Sequence, residues 1–205
     1  MSDNKKDQSI AIFGGTFNPI HIGHLRLAED VREEFNIDRI IFIPTNIPPH
    51  KELEGGVSAI DRLNMVRIAV RGNKNFDIDD IEIKRGGVSY TVDTVRYLYR
   101  EYNFKDKPYF IIGSDQARII DKWKGLDELS KKLKFIVLIR KNERDKIEEI
   151  KGIFAGKKID SAFFAKREID ITSSEIRNRV KEGKSIRYLV VPEVYKYIFA
   201  NNLYS

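Results

Sequence analysis

The chain has 205 residues, of which 41% are hydrophobic, and carries a formal net charge of +6. These values indicate a globular protein large enough for one α/β domain with its own core, and they favour anionic partners such as nucleotides. No apolar run approaches the roughly 18 residues that a membrane span needs, so we expect no membrane partner. The absence of cysteine excludes disulfides and thiolate metal sites and fits a cytoplasmic location.

Short apolar runs alternate with helical patterns along the chain. Residues 1–8 are polar and are predicted to form a flexible tail, followed by a single domain over residues 9–205. Strands covered on both faces are predicted at residues 10–13, 39–43, 109–112 and 135–139, with weaker strand signals at residues 76–83 and near Ile159. Helices are predicted from residue 24 to about 35, from 58 or 61 to about 71, at 92–102, 126–133 and 176–182, and from 192 through 203, with a surface helix or loop at 140–151.

This alternation predicts an α/β fold, a Rossmann-like doubly wound parallel sheet with helices on both faces and a C-terminal helical pair. In such sheets, ligands bind beyond the carboxyl ends of the strands, at the point where the strand order reverses. The residues that follow the predicted strands are therefore the candidates for a ligand site.

The first predicted strand leads into residues 14–24, GGTFNPIHIGH. Two glycines predict a sharp turn before a helix whose positive end and free N–H groups suit a phosphate. The stretch has neither the Walker A lysine nor the spacing G-x-G-x-x-G, and the Gly-Gly pair alone also fits a plain βα turn. His21 and His24, three residues apart, add donors at the same point. Such a pair can also bind zinc or have no role, but after this turn phosphate contacts are favoured.

Thr172 and Glu175 have the spacing of a capping box that opens a helix near the C-terminus. With Thr172 as the cap, Ser173 and Ser174 are predicted to be spare donors, and Arg177 lies one turn further on. The segment therefore predicts an anion site, although taken alone it fits an ordinary helix cap as well.

Residues 14–24 resemble the signature G-x-F-x-P-x-H-x-G-H of the nucleotidyltransferase superfamily, whose members transfer a nucleoside monophosphate from a nucleoside triphosphate and release pyrophosphate. The second superfamily signature, Ser-Ser-Thr-x-Ile-Arg, is present at residues 172–177 with its hydroxyl residues permuted. The resemblance implies that His21, His24 and Arg177 are catalytic. The ATP contacts that it implies are Gly14, Gly15, Thr16, Phe17, His21, His24, Gly113, Asp115, Arg140, Thr172, Ser173, Ser174, Ile176 and Arg177.

Three further stretches resemble the bacterial nicotinate-nucleotide adenylyltransferases: Pro-Pro-His-Lys at residues 48–51, Ser-Tyr-Thr-Val-Asp-Thr at 89–94, and Gly-Ser-Asp at 113–115 followed by a tryptophan. Together the similarity covers residues 10 to about 200. It implies that Lys51 meets the substrate phosphate, that Asp115 contacts a ribose and that Trp123 stacks on the nicotinate ring. The mononucleotide contacts so implied are Asn46, Lys51, Tyr90, Thr91 and Trp123. By their residue types alone, Lys51 also fits an exposed lysine, Asp115 a helix cap and Trp123 a packed core residue.

The family implies that nicotinate mononucleotide attacks ATP to give nicotinate adenine dinucleotide and pyrophosphate, in NAD biosynthesis. Mg²⁺ is expected on the triphosphate, without a dedicated protein metal site. Alternatives are an acceptor such as nicotinamide mononucleotide or phosphopantetheine, a non-catalytic nucleotide sensor, or a nucleic-acid-binding domain. Lysine and arginine are spread along the chain rather than clustered, so no nucleic-acid partner is expected. The sequence leaves a homo-oligomer open.

Overall fold

The computed structural model describes residues 8–49, 53–139, 141–165 and 169–205, except for the side chains of residues 141–143. Its strands are β1 (Ile10–Gly15), β2 (Arg39–Pro44), β3 (Phe76–Ile78), β4 (Tyr109–Gly113), β5 (Lys134–Leu138) and β6 (Ser161–Phe164). In these ranges they form one six-stranded sheet of order β3-β2-β1-β4-β5-β6. The pairs β1–β4, β4–β5 and β5–β6 are parallel, with Ala11 opposite Tyr109 and Phe135 opposite Ser161. The predicted Rossmann-like α/β fold is confirmed.

Helices connect the strands and close the chain. They are α1 (Ile22–Glu34), α2 (Ala59–Val70), α3 (Ile81–Arg85), α4 (Thr91–Glu101), α5 (Ser114–Ala117), α6 (Leu126–Lys132), α7 (Ile147–Gly156), α8 (Ser173–Lys181) and α9 (Pro192–Ala200), with short 3₁₀ turns at Ile120–Lys122 and Lys141–Lys146. None of the helices in the described ranges combines the length and the apolar character that a membrane crossing requires.

One predicted strand region is only partly a strand. Residues 76–83 were expected to be extended, but β3 ends at Ile78 and helix α3 begins at Ile81. The carboxylate of Asp79 accepts a hydrogen bond from the Ile81 N–H over 2.9 Å, which turns the chain into the helix. The strand prediction was therefore wrong for the last residues of this segment.

The chain divides into two compact units, each with its own core. The first unit comprises Met1–Phe13, Val31–Ile41 and Tyr90–Glu168, and the second comprises Gly14–Asp30, Phe42–Ser89 and Ile169–Ser205. In the first unit, Phe135 packs edge-on against Phe110 and Phe154. The expectation of a single domain over residues 9–205 stays a prediction.

In the second unit, helix α2 packs on helix α9. The Tyr197 hydroxyl joins these helices, since it donates to the Asp61 carboxylate over 2.9 Å and accepts from the Asn64 amide over 3.0 Å. Leu63 and Val66 of α2 and Val194 and Ile198 of α9 are buried.

Candidate active site

The loop after β1 begins later than its glycines suggest. Gly14 and Gly15 continue the strand, so the sharp turn predicted at these residues lies after them. Phe17 has a positive φ of 47° and is 2% exposed, with its ring against Phe42 and edge-on to His24. A Cβ at Gly15 would meet the Phe17 ring at 3.1 Å. Glycine is therefore needed at residue 15 to admit this ring, and not to make the turn.

The two signature histidines stack on each other at the start of α1. Their ring centroids are 3.7 Å apart with an interplanar angle of 28°, and His21 is 6% exposed. The backbone N–H of His21 donates to Nδ1 of His24 over 3.3 Å. Since Nδ1 accepts this bond, a neutral His24 carries its ring proton on Nε2. The hydrogen-bond donor of a neutral His24 ring is therefore the Nε2–H group.

Gly23 makes room for this stack. A Cβ at residue 23 would lie 2.9 Å from Nδ1 of His21 and 3.2 Å from Cγ2 of Ile169. At the same helix start, the Ile22 N–H donates to the Leu189 carbonyl over 2.9 Å. That N–H group, expected to be open to a phosphate, therefore already has a partner within the protein.

Asn18 is a central residue of the loop, and its side chain is 5% exposed. Its backbone carbonyl accepts from Nη1 of Arg177 over 2.9 Å, and its Oδ1 accepts from the Tyr204 hydroxyl over 2.8 Å. Its Nδ2 donates to the Glu54 carbonyl over 2.8 Å. Sequence reasoning missed both Asn18 and Tyr204, and nothing in the local pattern around Tyr204 indicates this contact.

The second signature opens α8 as predicted. The Thr172 hydroxyl accepts from the Glu175 N–H over 3.1 Å and so caps the helix. Ser173 donates to the Pro19 carbonyl over 2.9 Å, and Ser174 accepts from Nη2 of Arg177 over 3.1 Å. The expectation that Ser173 is a spare donor was wrong, because its hydroxyl already donates to Pro19. Ser174 uses its oxygen as an acceptor, so its role as a donor stays a prediction.

Arg177 is buried under this signature, with 4% of its side chain exposed, next to fully buried Ile176. Besides Ser174 and the Asn18 carbonyl, its guanidinium pairs with the carboxylate of Glu54, a residue that is 66% exposed. The guanidinium of Arg177 thus binds two partners at the same time, the Glu54 carboxylate and, through Asn18, the loop that leads to His21.

A second buried arginine, Arg62 on α2, binds the residues that directly follow β1 and β2. Its Nη1 donates to the carbonyls of Thr16 and Thr45 over 2.7 and 2.6 Å, and its Nη2 donates to the Asn46 carbonyl over 2.8 Å. Burial lowers the pKa of Arg62. The sequence prediction missed Arg62. The signal that could have found it is a charged residue on the apolar stripe of α2, one turn before Val66.

Asn46, predicted to contact the mononucleotide, is fixed on three sides. Besides the bond from Arg62 to its carbonyl, its N–H donates to the Ser89 hydroxyl over 3.0 Å and its Nδ2 donates to the Gly87 carbonyl over 2.9 Å. Two of these bonds fix the backbone of Asn46, and the bond from Nδ2 to Gly87 orients its side chain.

Gly113 and Asp115, predicted to contact ATP, belong to the first unit. Gly113 ends β4 and occupies the N-cap position of α5, with Asp115 exposed in the first turn of that helix. The alternative interpretation of Asp115 as the helix cap is therefore wrong, and its predicted ribose contact stays a prediction.

Tyr90, Thr91 and Trp123 also belong to the first unit. Tyr90 is at the N-cap position of α4, which begins at Thr91, and the Lys124 ammonium lies 4.4 Å from the Tyr90 ring centroid. Trp123 is half-buried and packs edge-on to Phe110 at 6.1 Å. Its Nε1 is buried and, in the part of the chain that the structure describes, makes no hydrogen bond.

Comparison with known proteins places this arrangement in a family. A family model described as cytidylyltransferase-like matches residues 12–179, which include both signatures. The chain belongs to the cytidylyltransferase-like family. A protein of Caldicellulosiruptor saccharolyticus named "probable nicotinate-nucleotide adenylyltransferase" is 43% identical over 200 residues, covering 96% of this chain and 98% of that protein. A protein of the same name from Shouchella clausii is 40% identical, covering 96% of each chain.

A solved structure agrees with the fold of this cytidylyltransferase-like chain. The nicotinic acid mononucleotide adenylyltransferase of Plasmodium falciparum, complexed with NaAD, has a TM-score of 0.72 and 24% identity, covering 96% of this chain and 97% of that one. The family model and the two relatives confirm the resemblance found from the signatures.

Within this cytidylyltransferase-like chain, the second unit brings together most of the residues predicted to contact ATP. Lys51, predicted to contact the mononucleotide, and Arg140, predicted to contact ATP, lie outside the described residues. His50 does so as well. The described residues contain no group of three or more histidine, aspartate and glutamate side chains that could hold a metal ion. The second-unit candidates that the structure describes are Gly14, Gly15, Thr16, Phe17, His21, His24, Asn46, Thr172, Ser173, Ser174, Ile176 and Arg177.

Proposed function

We propose that this chain is a nicotinate-nucleotide adenylyltransferase, which joins ATP and nicotinate mononucleotide into nicotinate adenine dinucleotide and pyrophosphate in NAD biosynthesis. The observation that carries the proposal is the stacked pair His21 and His24 on a supported loop after β1, with Nδ1 of His24 already engaged. The pair gives this loop a hydrogen-bond donor of fixed tautomer next to a helix N-terminus, where phosphates bind.

In the proposed reaction, a phosphate oxygen of the mononucleotide attacks the α-phosphorus of ATP in line. A new P–O bond forms, and the bond from the α-phosphorus to the α–β bridging oxygen breaks, with its electron pair leaving on pyrophosphate. The nucleophile is already an anion, so no general base is needed. The protein then acts by positioning the substrates and by stabilising charge, as in phosphoryl transfer generally.

His21 and His24 are assigned to the phosphates at the bond that breaks, and Ser173, Ser174 and Arg177 to the β and γ end. The support for the second group is its place against the histidine loop, through the bonds of Ser173 to Pro19 and of Arg177 to Asn18. Both serines and Arg177 would exchange or share their present partners when a triphosphate binds.

Mg²⁺ enters this proposal as part of the substrate, on the triphosphate oxygens and water. The described residues do not build a cage of protein ligands for it. We therefore assign no protein residue to the ion.

Asn46, Lys51, Tyr90, Thr91 and Trp123 are assigned to the mononucleotide. The support is the similarity to relatives named as nicotinate-nucleotide adenylyltransferases, at up to 43% identity over nearly the whole chain. The cytoplasmic location expected from the cysteine-free composition is also part of this proposal.

The test is pyrophosphate release from ATP with nicotinate mononucleotide, nicotinamide mononucleotide or phosphopantetheine as the acceptor. We expect the highest kcat/KM with nicotinate mononucleotide. Faster turnover of either other acceptor would reassign the substrate, and no pyrophosphate with any of the three would indicate a nucleotide-binding protein without this activity.

A further inference from the structure

Arg62 is a buried cation whose described hydrogen bonds all go to backbone carbonyls. Its side chain is 0% exposed, and its partners are the carbonyls of Thr16, Thr45 and Asn46. Burial is the main cause of its lowered pKa, opposed by the fields of Tyr204 and Glu82. Its Nε is buried and makes no hydrogen bond within the described ranges.

Burying such a residue has a cost in free energy that burying an apolar one does not have. A buried guanidinium loses its hydration, and carbonyl dipoles compensate a full charge less well than a carboxylate does. A methionine at this position of α2 would fill similar volume without burying a charge, but the three carbonyls would then lose their donor. These two effects oppose each other, so stability alone does not explain an arginine here.

The positions of the three carbonyls indicate what the arginine does. Thr16 directly follows β1, while Thr45 and Asn46 directly follow β2. The Thr45 N–H also donates to the Gly15 carbonyl over 2.9 Å, so the two strand ends are already joined. Arg62 extends this connection into the two loops, with one planar fork reaching acceptors on both, a geometry that a lysine ammonium cannot match at three points.

We propose that Arg62 is a positioning residue that fixes the loop carrying Thr16 relative to the loop carrying Asn46. This inference rests on the proposed function, in which Thr16 contacts ATP and Asn46 contacts the mononucleotide. Each loop can still bind its own nucleotide without Arg62. What the arginine sets is their relative placement, on which in-line attack depends, and a misplacement of about 1 Å lowers a rate by about 100-fold.

The test compares Arg62→Met and Arg62→Lys with the wild type by kcat, by the Kd of each nucleotide measured alone, and by thermal unfolding. We expect kcat per binding-competent site to fall by about tenfold or more, with each Kd changed by less than about threefold. A purely structural role would lower the melting temperature and the fraction of folded protein, but not kcat per binding-competent site. If Arg62→Met does not fold, Arg62→Lys, which keeps the charge and most of the volume, decides the result.

Arg67→Met is the matched control, because Arg67 lies on the same helix, is 52% exposed and pairs with Asp80 over 3.0 Å. We expect it to keep wild-type kcat. A folded Arg62→Met protein with wild-type kcat would overturn the inference.

Amide hydrogen exchange at residues 16–17 and 45–47 tests the inference independently of turnover. We expect faster exchange in Arg62→Met and unchanged exchange in Arg67→Met. Unchanged exchange in both would overturn the positioning role, whereas a wild-type enzyme without pyrophosphate release would overturn the proposed function.

Discussion

The Tyr204 hydroxyl donates a 2.8 Å hydrogen bond to Oδ1 of Asn18, across a sequence separation of 186. Both residues are buried, at 3% and 5% exposure. Asn18 directly precedes Pro19 in the loop that leads to His21 and His24. A residue near the far end of the chain thus supports the loop proposed to bind ATP.

Tyr204→Phe removes this hydroxyl and leaves the aromatic ring in place. Because Oδ1 of Asn18 then loses its donor in a buried site, we expect the free energy of unfolding to fall by about 1–2 kcal/mol. Urea denaturation measures the change. Tyr188→Phe is the control, since Tyr188 is 87% exposed and its replacement should leave stability unchanged. Equal stability of the two variants would show that the buried bond contributes nothing.

The same substitution should change how stability depends on alkaline pH. Burial raises the pKa of the Tyr204 phenol above its ordinary value of 10.0. A raised pKa means that the folded state retains a proton that the unfolded state releases, so its contribution is complete below about pH 10 and is lost as pH rises above it. We expect the wild type to lose stability above about pH 10 more steeply than Tyr204→Phe. Parallel curves in chemical denaturation would contradict this assignment.

His24 is expected to act through Nε2 while Nδ1 accepts the His21 N–H. His24→Asn can preserve the Nδ1 contact but has no group at the Nε2 position, and His24→Gln can place its amide there. We expect kcat to fall by about 100-fold or more in His24→Asn and by less in His24→Gln, with little change in melting temperature. Steady-state pyrophosphate release measures both. Near-normal turnover of His24→Asn would contradict the proposed mechanism.

Gly23→Ala introduces a Cβ 2.9 Å from Nδ1 of His21. The His21 ring must shift, and its stack on His24 must shift with it, so we expect kcat/KM to fall by about tenfold. Pyrophosphate release and thermal unfolding report activity and stability separately.

Gly152→Ala is the matched control for this helical glycine. Gly152 is exposed within α7, and a Cβ there meets no atom within 4 Å. Alanine should therefore stabilise the protein by up to about 1 kcal/mol through helix propensity, without affecting kcat/KM. If Gly23→Ala gave the same gain and full activity, the close approach of His21 would have no consequence.

Glu54→Gln removes the carboxylate that pairs with buried Arg177. The arginine loses its counter-charge, so we expect lower stability, by about 1 kcal/mol. If Arg177 binds the triphosphate, it also loses a competing anion, and the KM for ATP should fall by about twofold or more. Glu33→Gln is the control, since Glu33 has a side chain that is 60% exposed and lies 3.9 Å from Arg32. An increase in the KM for ATP would instead indicate that Glu54 prepares Arg177 for ATP.

The fold could be predicted because its signals are local. Strands β1, β2, β4 and β5 are covered on both faces and so consist of continuous apolar residues, and the cap of α8 is set by Thr172 and Glu175 within one turn. The turn was predicted too early, at the glycines after Phe13. A glycine can allow either a sharp turn or the close approach of a ring, and only the position of Phe17 shows which of the two applies here.

The supports of the site could not be predicted from the sequence. Asn18 is joined to Arg177 and Tyr204, and Arg62 to Thr16, by hydrogen bonds between distant segments, and such contacts leave no periodic pattern. Arg62 even interrupts the apolar stripe that identifies its helix. The roles of His21, His24 and Arg177 toward phosphate were inferred from signatures and stay predictions until the kinetic experiments are done.

The loop after β1 is held by bonds from Ser173, Arg177 and Tyr204, which lie 154, 159 and 186 residues from their partners. Contacts of such sequence separation require closure of very long loops, and they cannot form before the C-terminal residues have been synthesised. During synthesis, the residues of β1 and the loop leave the ribosome long before the C-terminal residues that hold the loop in its conformation. ATP binding at this loop should therefore be absent from a partly folded chain. It should begin only when the C-terminal segment has made its contacts with the loop.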